Sequence, residues 1–289
     1  MKTFFLKKLL ASKIHGRVRG GFRLTKSLTR EMSSVPIQID GYPSLYVDLR
    51  SLDEHSVSLY LANPLPQIPH EPFFTEIFHR IVKASDTVFD VGANLGLHTL
   101  TFSKVAREVI SFEPNPSLVP NLRKTVANLP NTRLLEICLS DRDGTVDFHI
   151  SNWDHMLGSL ANWSGQPTTT VSVPARSIDS LIEEGLIPMP QVLKVDVEGA
   201  EMMVFRGADK LFSGDDAPRT VIFEELNTAS RKLGISDGAP ADYLKEKGYF
   251  LYLIEDDQFT ALPDVRPEAA NLIAIKRSYI DLLDGFSLA

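Results

Sequence analysis

Several carboxylates stand in or at the end of apolar runs: Asp90 in VFDVG, Glu113 in VISFE, Asp141 in CLSD, Asp196 in VLKVD, and Glu224 with Glu225 in VIFEE. An acid at such a place needs a partner, because burying an unpaired charge is costly. Ligand hydroxyls suit it, and a carboxylate not so engaged can take a proton from an attacking oxygen. Asp196 and Glu198 in LKVDVEGAE, Glu224, and His98 shortly after VGANLG form the set of candidate bases. Side chains alternate along a strand, so only one of Glu224 and Glu225 can readily face a site, and Glu224 is assigned that place. Glu201 reads as an acid favoured by a helix N-terminus. No His joins these acids at a metal-binding spacing, so no metal is expected.

The stretch VFDVGANLG (88–96) supplies the neighbouring ligand surface. A glycine-bearing turn between a strand and a helix is expected to leave backbone N–H groups around an open space. Gly92 and Gly96 make a GxxxG spacing, which lacks the middle glycine of the dinucleotide fingerprint, and no GKS or GKT follows to form a P-loop. Glu113 comes 23 residues after Asp90, at the tip of what should be the adjacent strand, where an acid can accept from both ribose hydroxyls. Asp141, ending the next run, could accept from an adenine amino group, with Cys138 and Leu139 near the ring. A free ribose, an adenine and no pyrophosphate describe S-adenosylmethionine. Asp90 and the Gly92, Ala93 and Asn94 backbone then face its methionine part, Glu113 its ribose and Asp141 its adenine, with Gly96, Pro114, Asn115 and Ser140 as further cofactor-binding residues. Asp196 is also placed against the methionine end or the acceptor.

The elements that position these residues alternate. Apolar runs at 87–91, 108–113, 133–139, 191–196 and 219–225 read as strands separated by helical patterns, which implies an α/β fold on a mainly parallel sheet. Leu118, Leu122, Val126 and Leu129 mark one buried helix face, and Ala200, Met203, Val204 and Leu211 another. YFLYLIE and NLIAIKR form an antiparallel closing pair. Upstream, residues 35–50 read as a β-hairpin, and NPLPQIPHEP (63–72) as a Pro-rich link. The expected division is a basic arm (1–34), a hairpin and link (35–72) and a main domain (73–289). Between 141 and 175, strand pieces and long loops carry Trp153 and Trp163, which either pack or stack on a sugar ring. Lys194, alone in an apolar strand, reads as an ion-pairing or snorkelling residue.

Residues 1–30 hold nine Lys or Arg and no acid, which leaves 21 basic against 37 acidic residues, a net of −16, in the remainder. The arm reads as a solvated or dimerising leader, a peripheral contact with an anionic membrane, or a transit sequence. One Cys excludes an internal disulfide framework, no apolar run approaches a membrane span, and a cytoplasmic setting is the default.

DVGANLGLHT (90–99), SFEPNP (111–116), LSDRDGT (139–145) and LKVDVEGAEMMVFRGADKL (193–211) resemble the FkbM-type family of class I S-adenosylmethionine-dependent methyltransferases, over roughly residues 85–230. The resemblance implies a Rossmann-like seven-stranded sheet of order 3-2-1-4-5-7-6. It also implies cofactor roles for Gly92, Asn94, Glu113 and Asp141, and methylation of a hydroxyl oxygen. The expected acceptor is a sugar, glycan or other small polar metabolite. Three rivals are an RNA methyltransferase gripping phosphates with the arm, a catalytically silent cofactor-binding module and a nicotinamide oxidoreductase. The acidic body and the absence of an aromatic-basic stripe speak against nucleic acid.

Overall fold

The computed structural model describes residues 2–11, 21–68, 72–152, 157–163, 165–263 and 265–286. Its strands, in chain order, are β1 (Val35–Ile37), β2 (Leu45–Val47), β3 (Thr87–Val91), β4 (Glu108–Phe112), β5 (Thr132–Leu135), β6 (Cys138–Leu139) and β7 (Gly144–Ser151). The rest are β8 (Gly158–Ser159), β9 (Thr168–Arg176), β10 (Val192–Val195), β11 (Thr220–Leu226), β12 (Tyr249–Glu255), β13 (Gln258–Ala261) and β14 (Ala269–Lys276). The main sheet runs β13-β12-β14-β11-β10-β3-β4-β5. Numbered along the main domain, this is the expected 3-2-1-4-5-7-6 with β13 added at one edge. The five strands from β11 to β5 are parallel, and β14 runs antiparallel between β11 and β12.

Period-2 alternation gives the sheet two apolar faces. Phe89, Val91, Leu193, Val195 and Phe223 pack on one side with helical residues Val204, Phe205 and Leu244. Val88, Val192, Ile222 and Ile273 pack on the other with Phe78 and Phe102. This second face changes character toward the carboxyl ends of the strands. Asp90 pairs in register with Lys194 on one side and Ser111 on the other, which makes a polar row inside an otherwise apolar sheet. At the opposite ends of the strands, buried Arg219 pairs with Asp86.

Two expectations are corrected here. The run 133–139 is not one strand: β5 stays in the main sheet, whereas Cys138 and Leu139 pair with Ala175 and Arg176 in a second, four-stranded sheet of order β6-β9-β7-β8. That sheet gathers the strand pieces expected between 141 and 175, with β7 and β9 paired along eight residues. Met202, not Met203, joins the buried face of the helix Glu201–Arg206.

The N-terminal extension packs on the domain. The helices Lys2–Ala11 and Gly21–Thr29 precede the expected hairpin, β1 and β2, and a helix over Glu54–Ala62 follows it. That helix was not foreseen; Asp53 caps it by accepting from the Ser56 N–H at 2.7 Å. Leu6 and Leu10 share one apolar cluster with Leu45, Tyr60, Leu100 and Leu118, so the arm and the main domain bury a common core. The Lys7 ammonium donates to the Asn63 carbonyl at 3.0 Å. Among the described residues, no helix is long and apolar enough to cross a membrane.

Candidate functional site

Two clefts open at the carboxyl ends of the parallel strands, the usual ligand position on such sheets. The first, of about 630 Å3, lies over β3, β4 and β10 and is roofed by the small sheet through Phe148, Gly158 and Leu160. Gly92, Asn94, Glu113, Pro114, Asn115, Asp196 and Glu198 line it. Ile137, Cys138 and Leu139 give it an apolar end suited to a planar base. The second cleft, of about 430 Å3, is lined by Phe74, Phe78, His98, Lys194, Asp196, Glu224 and Asn271, among others. Asp196 lines both.

Glu113 is buried, with Oε2 accepting from the Asn94 N–H at 2.8 Å and Oε1 from the Asn115 N–H at 2.9 Å. Each oxygen keeps a lone pair, so the carboxylate can still receive two ligand hydroxyls. Burial pushes its pKa up to about 7 against the opposing pull of those two N–H groups. Donors arriving from a ribose would stabilise the charged form. The residues therefore fit the adenosine of S-adenosylmethionine, which would lie with its ribose at Glu113 and its adenine toward Cys138 and Leu139. Burial also raises the Cys138 thiol to about 12, so it stays protonated and acts as a small apolar wall.

The glycine turn works differently from expectation. The N–H groups of Gly92 and Ala93 both donate to the Phe112 carbonyl at 3.0 Å, that of Gly96 to Ala93 at 2.8 Å, and that of Asn94 to Glu113. These groups form no open N–H cradle. Gly92 is required by packing: at φ +78°, an added Cβ would stand 1.8 Å from the Asp196 carbonyl oxygen. Its own carbonyl accepts from Lys194 Nζ at 3.1 Å.

Lys194 joins the two sides of the site. Its ammonium, buried in β10, lies 3.2 Å from Asp196 Oδ2 and 3.7 Å from Asp90 Oδ1. Burial would lower its pKa, but the facing carboxylates Asp196 and Asp90 outweigh it and hold the ammonium charged. Asp90 also accepts from Thr99 Oγ1 at 2.5 Å, and Ser111 Oγ lies 2.9 Å from that hydroxyl. Thr99 has one proton and gives it to Asp90, so Ser111 is the donor in the second bond. Asp90 is thus fully buried behind the first cleft, where it supports the strand ends without lining the cleft.

The remaining candidates divide. Glu224 lines the second cleft, whereas Glu225 is buried on the opposite face and accepts from the Ala241 N–H at 2.9 Å, capping the helix Ala239–Glu246. His98 lies edge-on to Phe78, ring centroids 5.3 Å apart, in the same cleft. Glu201 is buried beneath the turn and ties it by accepting from the N–H groups of Val197 at 3.1 Å and Gly199 at 3.2 Å. Ala93 and Gly96 are buried within the turn, Ser140 is buried, and Asp141 is exposed; none of the four lines either cleft. Trp153 lies outside the described residues, and Trp163 is half-buried away from both clefts.

Oxygens of Asp196, Glu198 and Glu224 all come within 4.8 Å of one another. Sequence spacing gave no expectation of a metal, yet three hard oxygen donors so grouped could share one divalent cation. Burial, with the nearby Asp196, Glu224 and Glu201 carboxylates, pushes Glu198 up to about 9. Sequence reasoning missed the aromatic wall of the second cleft. Its only signal was the i, i+4 spacing of Phe74 and Phe78 in PFFTEIFHR.

A family model, the methyltransferase FkbM domain, matches residues 90–251, more than half of the chain. The chain belongs to this family. As an FkbM-type methyltransferase it uses S-adenosylmethionine, the cofactor that the first cleft fits. Two curated relatives are similar to this FkbM protein. One is the hexuronic acid methyltransferase AglP of Haloferax volcanii, 36% identical over 125 residues, 42% of this chain and 49% of that protein. The other is the 2-O-methyltransferase NoeI of Sinorhizobium fredii, 29% identical over 151 residues, 46% of this chain and 61% of that protein. The matches thus span about half of the one relative and three-fifths of the other. A precorrin-6y C5,15-methyltransferase structure from Geobacter metallireducens superposes with a TM-score of 0.40 at 10% identity, covering 73% of this chain and 93% of that one. That likeness is too loose to argue from.

Proposed function

We propose that this protein transfers the methyl group of S-adenosylmethionine to a hydroxyl oxygen of a sugar, as a free metabolite or within a glycan. The observation that carries the reading is the position of Asp196, which lines the cofactor cleft and the second cleft at once. Bound S-adenosylmethionine supplies a methyl carbon on a sulfonium, which becomes a neutral thioether when the methyl leaves. An alcohol acceptor must lose its proton as its oxygen bonds to that carbon, so a carboxylate at the meeting of the two clefts is the group required. Lys194 holds Asp196 in place from behind, and Glu224 faces the same space from β11. Glu198, raised to about 9, keeps its proton at neutral pH and serves as a hydrogen-bond donor. The activities for which the two relatives are named, on a hexuronic acid and at a 2-oxygen, support a sugar acceptor.

The test is a screen of glycan and metabolite extracts with isotope-labelled S-adenosylmethionine. Label is expected in a sugar ether that survives mild alkali. Label in RNA, or S-adenosylhomocysteine formed with no sugar extract, would overturn the reading.

A further inference from the structure

The hairpin at 35–50 and Gly96 line neither cleft, yet they meet through one helix. The helix Val119–Val126 follows SFEPNP, and its buried face carries two polar side chains, Asn121 and Thr125. A buried polar group without a partner is costly, and both find partners in the N-terminal extension. The Asn121 side-chain amide donates to the Ser33 carbonyl at 2.8 Å, and Thr125 Oγ1 accepts from the Tyr46 N–H at 3.1 Å. Ser33 and Tyr46 lie outside the family-matched segment, whereas Asn121 and Thr125 lie inside it. Around these bonds β2 packs against the helix, and Leu45, Val47, Leu95 and Leu118 share one apolar cluster.

From the helix, two contacts reach the groups that hold Glu113. Its first turn hangs on Asn115: the Leu118 and Val119 N–H groups both donate to the Asn115 carbonyl at 3.0 Å, and the Asn115 N–H donates to Glu113. One turn further on, Leu122 and Thr125 face Gly96. An added Cβ there would stand 2.7 Å from Leu122 Cδ1 and 3.7 Å from Thr125 Cγ2, at a φ of +92°. Gly96 is therefore required by the close approach of the helix, and its turn carries the Asn94 N–H, the other donor to Glu113. Both donors on Glu113 are thus backed by the same helix. Hydrogen bonds weaken steeply once misaligned, so a shift of that helix is felt at the carboxylate.

We propose that the N-terminal extension is a positioning element for the cofactor. Through Asn121 and Thr125 it sets the helix Val119–Val126 against Asn115 and Gly96, and so holds the Glu113 carboxylate where it meets the ribose. This rests on the placement of the ribose at Glu113 given above. Neither the extension nor the helix lines the cofactor cleft, so the influence on the cofactor is indirect.

The test uses the full chain and S-adenosylmethionine alone, with a calorimetric Kd and a thermal melt for each variant. Thr125→Val removes the acceptor for Tyr46 at nearly constant volume, Asn121→Ala removes the donor to Ser33, and Thr125→Ser keeps the hydroxyl. Leu283→Ala, in the apolar cluster around Phe78 and Val88, is the control for a general loss of stability. The Kd is expected to rise at least threefold in Thr125→Val and in Asn121→Ala, and to stay below that in Thr125→Ser and Leu283→Ala. A smaller rise in either of the first two overturns the proposal, and so does an equal rise in either of the last two. If Asn121→Ala does not fold, Thr125→Val decides alone. Glu113→Gln separates this proposal from the reading beneath it. Unchanged affinity in that variant removes the ribose placement and the proposal together, whereas weakened affinity there with unchanged affinity in Thr125→Val removes the role of the extension alone.

Discussion

Cofactor affinity should depend on pH through Glu113. In the free protein this carboxyl titrates near 7, because burial favours its neutral form more than the Asn115 and Asn94 N–H groups favour its charged form. Ribose hydroxyls need an acceptor, and an ionised carboxylate offers two oxygens where a protonated one gives up part of that capacity. Binding then requires the proton to leave. With a pKa near 7, the protonated form outnumbers the ionised one about tenfold at pH 6 and is about a tenth of it at pH 8. The apparent Kd should therefore fall by roughly tenfold from pH 6 to pH 8, about 1.4 kcal/mol. Calorimetry across that range, in buffers of different ionisation enthalpy, should show about half a proton released near pH 7. Glu113→Gln should weaken binding by about 1 to 3 kcal/mol and flatten the pH dependence. A pH-independent Kd, or an identical pH dependence in Glu113→Gln, would refute the ribose assignment.

Asp196→Asn should reduce turnover by at least ~100-fold with melting little changed, since the amide keeps the shape but cannot accept the proton; steady-state rates on the labelled acceptor check this. Gly92→Ala should destabilise the fold by ~1 to 3 kcal/mol, read by urea denaturation, because its methyl would collide with the Asp196 carbonyl 1.8 Å away. Glu113, Glu198 and Glu201, raised to about 7, 9 and 8, hold protons in the folded state that the unfolded chain has already released. Their contribution to stability is therefore greatest at acid pH and is lost as pH rises from about 4.5 through those values, so the melting temperature should fall between pH 6 and 9. Turnover should survive EDTA, because Lys194 lies against Asp196 and Glu198 retains its proton; activity lost to EDTA and restored by Mg2+ would make the three carboxylates a cation site.

Strand ends were legible because an acid closing an apolar run is rare without a ligand or a partner. Asp196, Glu113 and Glu224 carry that signal and line the clefts, and alternation puts Glu224 and Glu225 on opposite faces without saying which of the two faces the cleft. The glycine turn was legible in place but not in cause: the spacing of Gly92 and Gly96 cannot tell an open N–H cradle from a close crossing of two strand ends. Residues 133–139 show a second limit, since apolar periodicity marks extended backbone but not which sheet receives it. The aromatic wall was hidden for another reason. Phe74 and Asn271 are far apart in the chain and meet only through the order of the sheet, so neither carries a local signature of a cleft.

The roof of the cofactor cleft is tied to its floor. Ser159, on β8, donates its hydroxyl to the Glu198 carbonyl at 2.7 Å, and Glu198 holds a left-handed backbone at φ +54° between Asp196 and Gly199. Any displacement of the small sheet from the cleft must break or drag that bond, and with it the turn that carries Asp196 and Glu198 into the cleft. The roof and the acidic turn are in this way one mechanical unit, so a change in the height of the cleft is also a change in the position of its carboxyl groups.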